Sequence, residues 1–170
     1  MTRFRFALTC IALVGSANAH AVVIDQPAPE VKGVAITDGK PLKLSKFRGK
    51  VVYLDIWASW CAPCRVSLPL LQKMQEELAP IGVQVIGLDI DEEAAHAQKL
   101  MRDAGVSYPV IREVDEQTIK SYEMIKMPAA YLIDREGVVR YSYQGFSERG
   151  FESIRPMVEE LARTGKLAKR

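Results

Sequence analysis

The feature that most constrains the fold is an apolar run that leads directly into a pair of cysteines. Residues 51–58, VVYLDIWA, have the composition and length of a strand buried on both faces. Cys61 and Cys64 follow, three positions apart. A helix from about Cys61 to Leu78 is predicted by an apolar stripe that consists of Val66, Leu70, Leu71, Met74 and Leu78. A strand therefore delivers Cys61 to the start of a helix, and Pro69 is expected to kink that helix.

The rest of the chain alternates strands and helices. Residues 34–50 predict a hairpin, with apolar positions alternating on either side of an Asp38-Gly39 turn. The next segments predict a buried strand at 83–90, a helix at 91–105 begun by Asp91, and a short edge strand at 107–111. A short helix at 115–124 and a hairpin at 129–145, turning at 135–137, follow. A last helix starts at Ser147 and has an apolar face that consists of Phe151, Ile154, Val158 and Leu161. This order predicts an α/β fold, a three-layer α/β/α sandwich with a mixed central sheet.

The first residues have the pattern of a secretory signal peptide. Arg3 and Arg5 form a basic start, residues 6–14 are apolar, and Ala17-Asn18-Ala19 offers the small residues that a signal peptidase recognises. We expect a signal peptide at 1–19 and one domain at 20–170, a size suited to a single core. The alternative is an uncleaved membrane anchor, although the apolar run is short for a bilayer. Cys10 lies inside that run and is not taken as a lipid-attachment site.

Cleavage after Ala19 changes both the charge and the cysteine count. It removes two of the 23 Lys and Arg residues, which leaves 21 against 21 Asp and Glu. A chain without excess positive charge gives no indication of a nucleic-acid partner. Cleavage also leaves Cys61 and Cys64 as the only cysteines. A single C-x-x-C pair in an exported chain is not part of a wider disulfide framework, so it needs a function of its own.

Position at a helix start gives the two cysteines different tasks. Free backbone N–H groups and the helix dipole stabilise a thiolate there, and they lower a cysteine pKa from about 8.5 towards about 3.5–7.5. Cys61 is therefore expected to be the exposed nucleophile and Cys64, one turn further in, the buried resolving thiol. Pro63 stiffens the small ring that the disulfide closes. Such a pair can switch between dithiol and disulfide, whereas a single cysteine stops at the mixed disulfide.

Two other interpretations of the pair fit the sequence less well. Half of a zinc site needs two more ligands, and the mature chain offers only His20 and a helical His96. A purely structural disulfide would close so short a loop that it would stabilise little. His96 is expected to be solvent-exposed, the acidic run 89–93 to be a strand end and helix start rather than a metal site, and Tyr141 and Tyr143 to be packing residues. The sequence therefore predicts no cofactor and no metal.

The segment WASWCAPCR after VVYLDI resembles the active site of thioredoxin-fold proteins, and more closely the TlpA/ResA-like exported thiol–disulfide oxidoreductases. The resemblance extends from about Gln26 to Leu161 and includes LSKFRGK, MPAAYLIDREG and the final helix. It implies a thioredoxin fold with an N-terminal β-hairpin and a central strand/helix insertion before Pro128. These motifs are specific for fold and redox chemistry, but not for the substrate.

The resemblance also implies roles for individual residues. Cys61 and Cys64 match the redox pair, and Pro69 matches the proline that kinks the active-site helix. Pro128 matches a cis-proline that faces the disulfide, whose neighbouring backbone binds a partner chain like an added strand. Trp60 matches an aromatic residue packed beside the pair. The substrate contacts implied in this way are Trp60, Ala62, Pro63 and Met127.

Three positions depart from the TlpA-like pattern. Asp55 matches the buried acid of thioredoxins, where many TlpA-like proteins have asparagine. Ser67 stands where that subfamily usually has a glutamate, and Met127 stands where threonine is common. An acid in so apolar a strand would be costly without a function. We therefore expect Asp55 to accept the proton of Cys64, and a capped strand-edge acid is the alternative.

The predicted function is that of a periplasmic thiol–disulfide oxidoreductase, acting as a reductase. The resemblance implies oxidised cysteines of exported proteins as substrates, such as apocytochrome c or copper-site assembly proteins. It also implies a membrane electron donor of the DsbD or CcdA kind, and a monomer is expected. A thiol peroxidase on the same fold is one alternative, although a Thr-x-x-Cys arrangement is missing. A copper carrier is the other, although no third soft or imidazole ligand is evident.

Overall fold

The computed structural model describes residues 22–113 and 115–168, so the predicted signal peptide lies outside the described residues. The strands are β1 Lys32–Ala35, β2 Pro41–Lys43, β3 Val51–Trp57, β4 Val83–Asp89, β5 Val110–Glu113, β6 Ala129–Ile133 and β7 Val139–Gln144. The helices are α1 Ala62–Leu78, α2 Ala94–Asp103, α3 Glu116–Ser121 and α4 Glu148–Thr164. This order confirms the predicted alternation of elements.

Within the described residues, the strands form one mixed sheet in the order β2-β1-β5-β4-β3-β6-β7. β3 runs parallel to β4, and β4 runs parallel to β5, whereas the other neighbours are antiparallel. Right-handed crossovers in the same direction along the sheet place α1 and α2 on one face. The chain returns from β5 to β6 through α3, and Ile119 and Tyr122 of this segment pack in the core on the opposite face. Helices on both faces make the predicted three-layer sandwich.

The two faces of β3 belong to two separate cores. Tyr53 and Trp57 pack with the cysteine pair and with α1, α2 and α4. Leu54 and Ile56 pack on the other face, where α3 and the N-terminal segment cover the sheet. Every residue of β3 is buried. Because each large apolar side chain buried in this way contributes about 1.5–3 kcal/mol, the apolar run fixes β3 at the centre of the molecule.

The buried face of α1 differs from the predicted stripe. Val66 is exposed and Leu70 is only half-buried. The buried face keeps Leu71, Met74 and Leu78 of the predicted stripe and adds Cys64, Ser67 and Leu68. Both sets of positions have helical spacing, and the buried set contains Cys64, which packs in the core with Trp57 and Leu68. Pro69 lies inside α1, as predicted.

β5 is not the edge strand that the sequence predicted. It starts at Val110 rather than at Ser107, and it pairs with β4 on one side and β1 on the other. The N-terminal hairpin adds outside it and takes the edge. The hairpin was predicted correctly. The pairing of its strand β1 with β5 could not be predicted from the alternation of apolar residues within the hairpin.

Gly87 of β4 leaves space for the indole of Trp57. It pairs with Asp55 of β3 and with Val110 of β5. A Cβ at this position would lie 2.7 Å from Trp57 Nε1 and 2.9 Å from Val110 Cγ2. Both distances are shorter than ordinary packing allows. A glycine is therefore required here by close approach.

Gly87→Ala is expected to lower the free energy of unfolding by about 1–3 kcal/mol, because it overpacks the core beneath the cysteine pair. Urea unfolding followed by circular dichroism measures the loss. Trp57→Phe supplies the matched control, since the smaller ring relieves the clash. The loss caused by Gly87→Ala should be smaller in the Trp57→Phe background. Equal losses in both backgrounds would show that the indole is not the obstacle.

Candidate active site

The cysteine pair closes a disulfide at the start of α1. Cys61 is the N-cap of the helix, and its Sγ is bonded to that of Cys64 at 2.07 Å. The backbone N–H of Cys64 donates to Cys61 Sγ at 3.3 Å. Cys61 is 6% exposed and Cys64 is fully buried. The pair is thus less accessible than predicted, but only Cys61 reaches the surface.

This geometry supports the two roles assigned from the sequence. Pro63 has no N–H, so the amide of Cys64 is the group that faces the Cys61 sulfur. A thiolate on Cys61 would accept the hydrogen bond that the disulfide sulfur accepts now, at the positive end of the α1 dipole. Cys64 lies behind it in the core and is placed to attack from within.

We predict that Cys61 alone reacts with iodoacetamide at neutral pH in the reduced protein. Its pKa is expected to lie below that of a free cysteine, whereas Cys64 is shielded from the reagent. Brief alkylation followed by peptide mass mapping measures the distribution of label. The urea-unfolded protein provides the control, because both thiols should then be labelled. Labelling mainly at Cys64 in the folded protein would reverse the assignment.

Asp55 lies in the core beneath the pair. It sits between Tyr53 and Trp57 on β3, and alternate residues of a strand face the same side, so its side chain faces the core that contains Cys64. It is 2% exposed, and its Oδ2 has no hydrogen-bond partner among the described residues. Burial raises the pKa of Asp55 well above its usual value. A carboxyl group that readily holds a proton is what a proton acceptor for Cys64 requires.

The groups around Asp55 do not offset its charge. The pKa values of the Tyr53 and Tyr108 phenols are raised, mainly by burial and secondly by the negative charge of Asp55. Gly87, its register partner on β4, has no side chain. Ser67, where the subfamily usually has an acid, is buried, and its Oγ donates to the Cys64 carbonyl at 3.1 Å inside α1. Asp55 is therefore a buried acid without a compensating cation on the face of β3 that packs against the core containing the pair.

The segment before β6 combines an exposed apolar side chain with a cis-proline. The Met127–Pro128 peptide bond is cis, as the resemblance implied. Gln144 Oε1 accepts from the N–H groups of Ile125 and Lys126 at 3.1 and 3.2 Å. Met127 packs partly against the core that contains the cysteines, and its own backbone N–H and C=O have no partner among the described residues. Ile125 is 84% exposed.

Trp60 occupies the surface rather than a packed position. It is 66% exposed, whereas the sequence comparison implied an aromatic packed beside the pair. The buried indole is that of Trp57, three residues earlier. Ala62 and Pro63 are exposed as well. The surface next to Cys61 is therefore accessible, with apolar side chains at 60, 62 and 63 and the exposed Arg65 beside them.

Sequence reasoning missed a contact of the acidic run after β4. Asp91 was predicted to begin α2, but the N-cap of that helix is Glu93. The Asp91 carboxylate instead accepts from the N–H and Oγ–H of Ser59, at 2.8 and 2.9 Å. The carboxyl ends of parallel strands lie at the same edge of a sheet, so β3 and β4 end side by side. That rule could have placed the two residues together.

The remaining candidates lie away from the pair. His96 is exposed and approaches Glu93 to 3.9 Å. Tyr141 and Tyr143 pack partly against the core, which confirms them as packing residues. No cluster of three His, Cys, Asp or Glu residues suited to a metal ion occurs in 22–113 or 115–168. In those same ranges, no helix has the length and apolar character needed to cross a membrane.

Comparison with known proteins agrees with the geometry. The AhpC/TSA family matches residues 24–142. The thiol-disulfide oxidoreductase ResA of Bacillus subtilis strain 168 is 31% identical over 103 residues, which are 61% of this chain and 58% of that protein, so the match spans less than two thirds of its length. ResA of Bacillus thuringiensis subsp. konkukian is also 31% identical, over 68% of each chain.

A solved structure extends the match to most of the described chain. The crystal structure assigned as the thiol:disulfide interchange protein DsbE from Chlorobium tepidum superposes with a TM-score of 0.77 and 32% identity, and it covers 84% of this chain and 99% of that one. The fold, the Cys61–Cys64 disulfide and the similar proteins all indicate the same family. The chain therefore belongs to the AhpC/TSA family and is a ResA-like thiol–disulfide oxidoreductase of the thioredoxin superfamily.

Proposed function

We propose that this oxidoreductase works as a reductase of disulfides in exported proteins. The Cys61 thiolate attacks a substrate disulfide, forms a mixed disulfide and releases one substrate thiolate. Cys64 then attacks Cys61 Sγ while Asp55 takes its proton, and the second substrate sulfur leaves. The substrate gains two electrons, and the protein is left with the Cys61–Cys64 disulfide.

The single observation that carries this proposal is the asymmetric pair above an uncompensated acid. Cys61 accepts from a backbone N–H at the start of α1, and Cys64 packs in the core that is faced by the side of β3 on which Asp55 lies. Ala62 and Pro63, the residues between the cysteines, bring no cation to the thiolate. Strong oxidants are those whose reduced form is strongly stabilised, so a pair with helix-start groups but no cation between its cysteines favours electron donation.

The surface around Cys61 supports a protein substrate. Trp60 and Ile125 are exposed and apolar, and the free backbone groups of Met127 can pair with an extended chain as an added strand would. We infer that Trp60, Ala62, Pro63 and Met127 contact the substrate, and that the buried Pro128 lies directly behind this contact. Backbone pairing of this kind would select extended cysteine-containing segments, such as those of apocytochrome c or copper-site assembly proteins.

Export and electron supply complete the proposal. The signal-like residues 1–19 would direct the chain to the periplasm as a monomeric domain of 20–170, and amino-terminal sequencing of the native protein should begin at His20. In an oxidising compartment the spent disulfide needs new electrons, for which a membrane dithiol donor of the DsbD or CcdA kind is suited.

The test uses an oxidised peptide with a Cys-x-x-Cys-His segment, the haem-attachment sequence of c-type cytochromes. The reduced protein should convert it to the dithiol and become oxidised in equal amount, as followed by mass spectrometry. Hydrogen peroxide serves as the control oxidant for the peroxidase alternative. Rapid oxidation by peroxide, with the peptide left unreduced, would overturn the proposal.

A further inference from the structure

The loop that joins β3 to α1 is held from both sides. It comprises Ala58, Ser59 and Trp60, and Cys61 follows. The Ser59 N–H and Oγ–H donate to the two oxygens of the Asp91 carboxylate at 2.8 and 2.9 Å. The Ser59 carbonyl accepts from Arg65 Nε at 3.1 Å. The backbone N–H, the backbone carbonyl and the hydroxyl group of Ser59 therefore all have hydrogen-bond partners.

The carboxylate that holds Ser59 is itself fixed in place. Asp91 is buried, and its N–H donates to Asp89 Oδ1 at 3.0 Å. Arg112 Nη2 donates to the carbonyl of Asp91 at 3.4 Å and also to the carbonyl of Glu92. Asp89 pairs in register with Trp57 on one side and Arg112 on the other. Three neighbouring strand ends therefore hold Asp91 rigidly.

We propose that Asp91 is a positioning residue for the redox pair, which acts through Ser59 to hold Cys61 at the amino terminus of α1. The electrostatic effect of a helix end falls off within the first turn. A small displacement of Cys61 would remove its sulfur from the Cys64 N–H and from the positive end of the helix. The two hydrogen bonds to Ser59 prevent that displacement.

The hydrogen bonds and the charge of Asp91 have opposite effects on Cys61. Fixing the loop lowers the pKa of the Cys61 thiol, whereas a nearby negative charge raises it. Asp91→Asn separates the two effects. Its amide oxygen can accept from the Ser59 N–H, and its NH₂ can donate to Ser59 Oγ, because a hydroxyl group both donates and accepts. Asp91→Ala removes the hydrogen bonds and the charge together.

The proposal rests on Cys61 being the nucleophile of the proposed reaction, and its test needs neither substrate nor electron donor. The rate of Cys61 alkylation by iodoacetamide is measured against pH in the reduced full chain. Asp91→Ala should raise the midpoint by about 0.5–1 pH unit, given the size of helix-end effects. Asp91→Asn should not raise it. Ser59→Ala, which loses one of the two bonds, should raise it by less than Asp91→Ala does.

Each outcome decides the matter. An Asp91→Ala protein that folds with a midpoint no higher than that of Asp91→Asn would overturn the proposal, because these two variants differ in the hydrogen bonds and not in the charge. So would an Asn variant raised as far as the Ala variant, since the hydrogen bonds would then be irrelevant. Where Asp91→Ala fails to fold, Ser59→Ala decides alone: a raised midpoint supports the proposal, and an unchanged one overturns it. Failure of the peptide assay with the predicted midpoints would instead count against the proposed substrate class.

Discussion

Replacing Cys64 with serine is expected to stop turnover after one attack and to leave Cys61 joined to its substrate. The serine hydroxyl is too weak a nucleophile to resolve the mixed disulfide, so the adduct accumulates. With the oxidised peptide described above, the reduced variant should form a one-to-one adduct. Mass spectrometry of the intact protein measures it, and dithiothreitol should release the peptide.

Cys61→Ser is the matched control for this experiment. It retains the buried thiol and loses the surface thiol, so we expect neither adduct nor turnover. In extracts of cells that express each variant, non-reducing gels should show reductant-sensitive adducts only for Cys64→Ser. Adducts formed by Cys61→Ser and absent from Cys64→Ser would mean that the buried sulfur attacks first.

Asp55→Asn is expected to slow the resolving step while the first attack by Cys61 stays close to its wild-type rate. Asparagine has the shape of the acid but cannot take the Cys64 proton as that thiol attacks. General-base assistance of this kind typically contributes about 10²–10⁴-fold. Stopped-flow measurement with the oxidised peptide separates adduct formation from adduct decay. Unchanged decay in the Asn variant would leave Asp55 as a structural residue.

The same substitution is expected to make the fold more stable at neutral pH. The folded-state pKa of Asp55 is raised above the unfolded value of about 3.9, so the folded protein binds the extra proton between these values. Wild-type stability therefore falls as pH rises from the unfolded pKa through the folded one. Asp89, whose pKa burial raises to about 7, has an effect of the same sign and is present in both proteins. The difference between wild type and Asp55→Asn isolates Asp55.

Thermal melts from acid to neutral pH test this expectation. The stability gained by Asp55→Asn should be near zero at low pH and grow with pH, towards about 1–3 kcal/mol for relief of an unpaired buried polar group. Asp134→Asn is the matched control. Asp134 is buried to the same extent, but it accepts from Arg140 Nε at 2.7 Å and from the Val138 N–H at 2.8 Å. Asp134→Asn should lower the free energy of unfolding. If Asp55→Asn lowered it as well, the conclusion that the Asp55 charge is uncompensated would be refuted.

Local pattern was sufficient for much of the site. The strand, the helix start and the Cys61–Cys64 spacing are adjacent in sequence, and the buried acid could be inferred from one polar residue in an apolar strand. The position of β5 inside the sheet and the contact between Asp91 and Ser59 were harder to predict, because both depend on the pairing of strands that are far apart in sequence. Trp60 was misplaced because the resemblance specifies the residue type and not its exposure. Val66 and Leu70 also have helical spacing in α1, so only the tertiary fold shows that Ser67 and Leu68 are buried in their place.

The reduction potential of the Cys61–Cys64 pair tests the central claim most directly. The protein is equilibrated with mixtures of reduced and oxidised dithiothreitol or glutathione, and the fraction of disulfide is counted by alkylation and mass spectrometry. A reductase with no cation between its cysteines should lie closer to the value of about −270 mV typical of thioredoxin than to the value of about −120 mV of a strong oxidant such as DsbA. A potential close to that of DsbA would contradict the account and reverse the direction of electron flow.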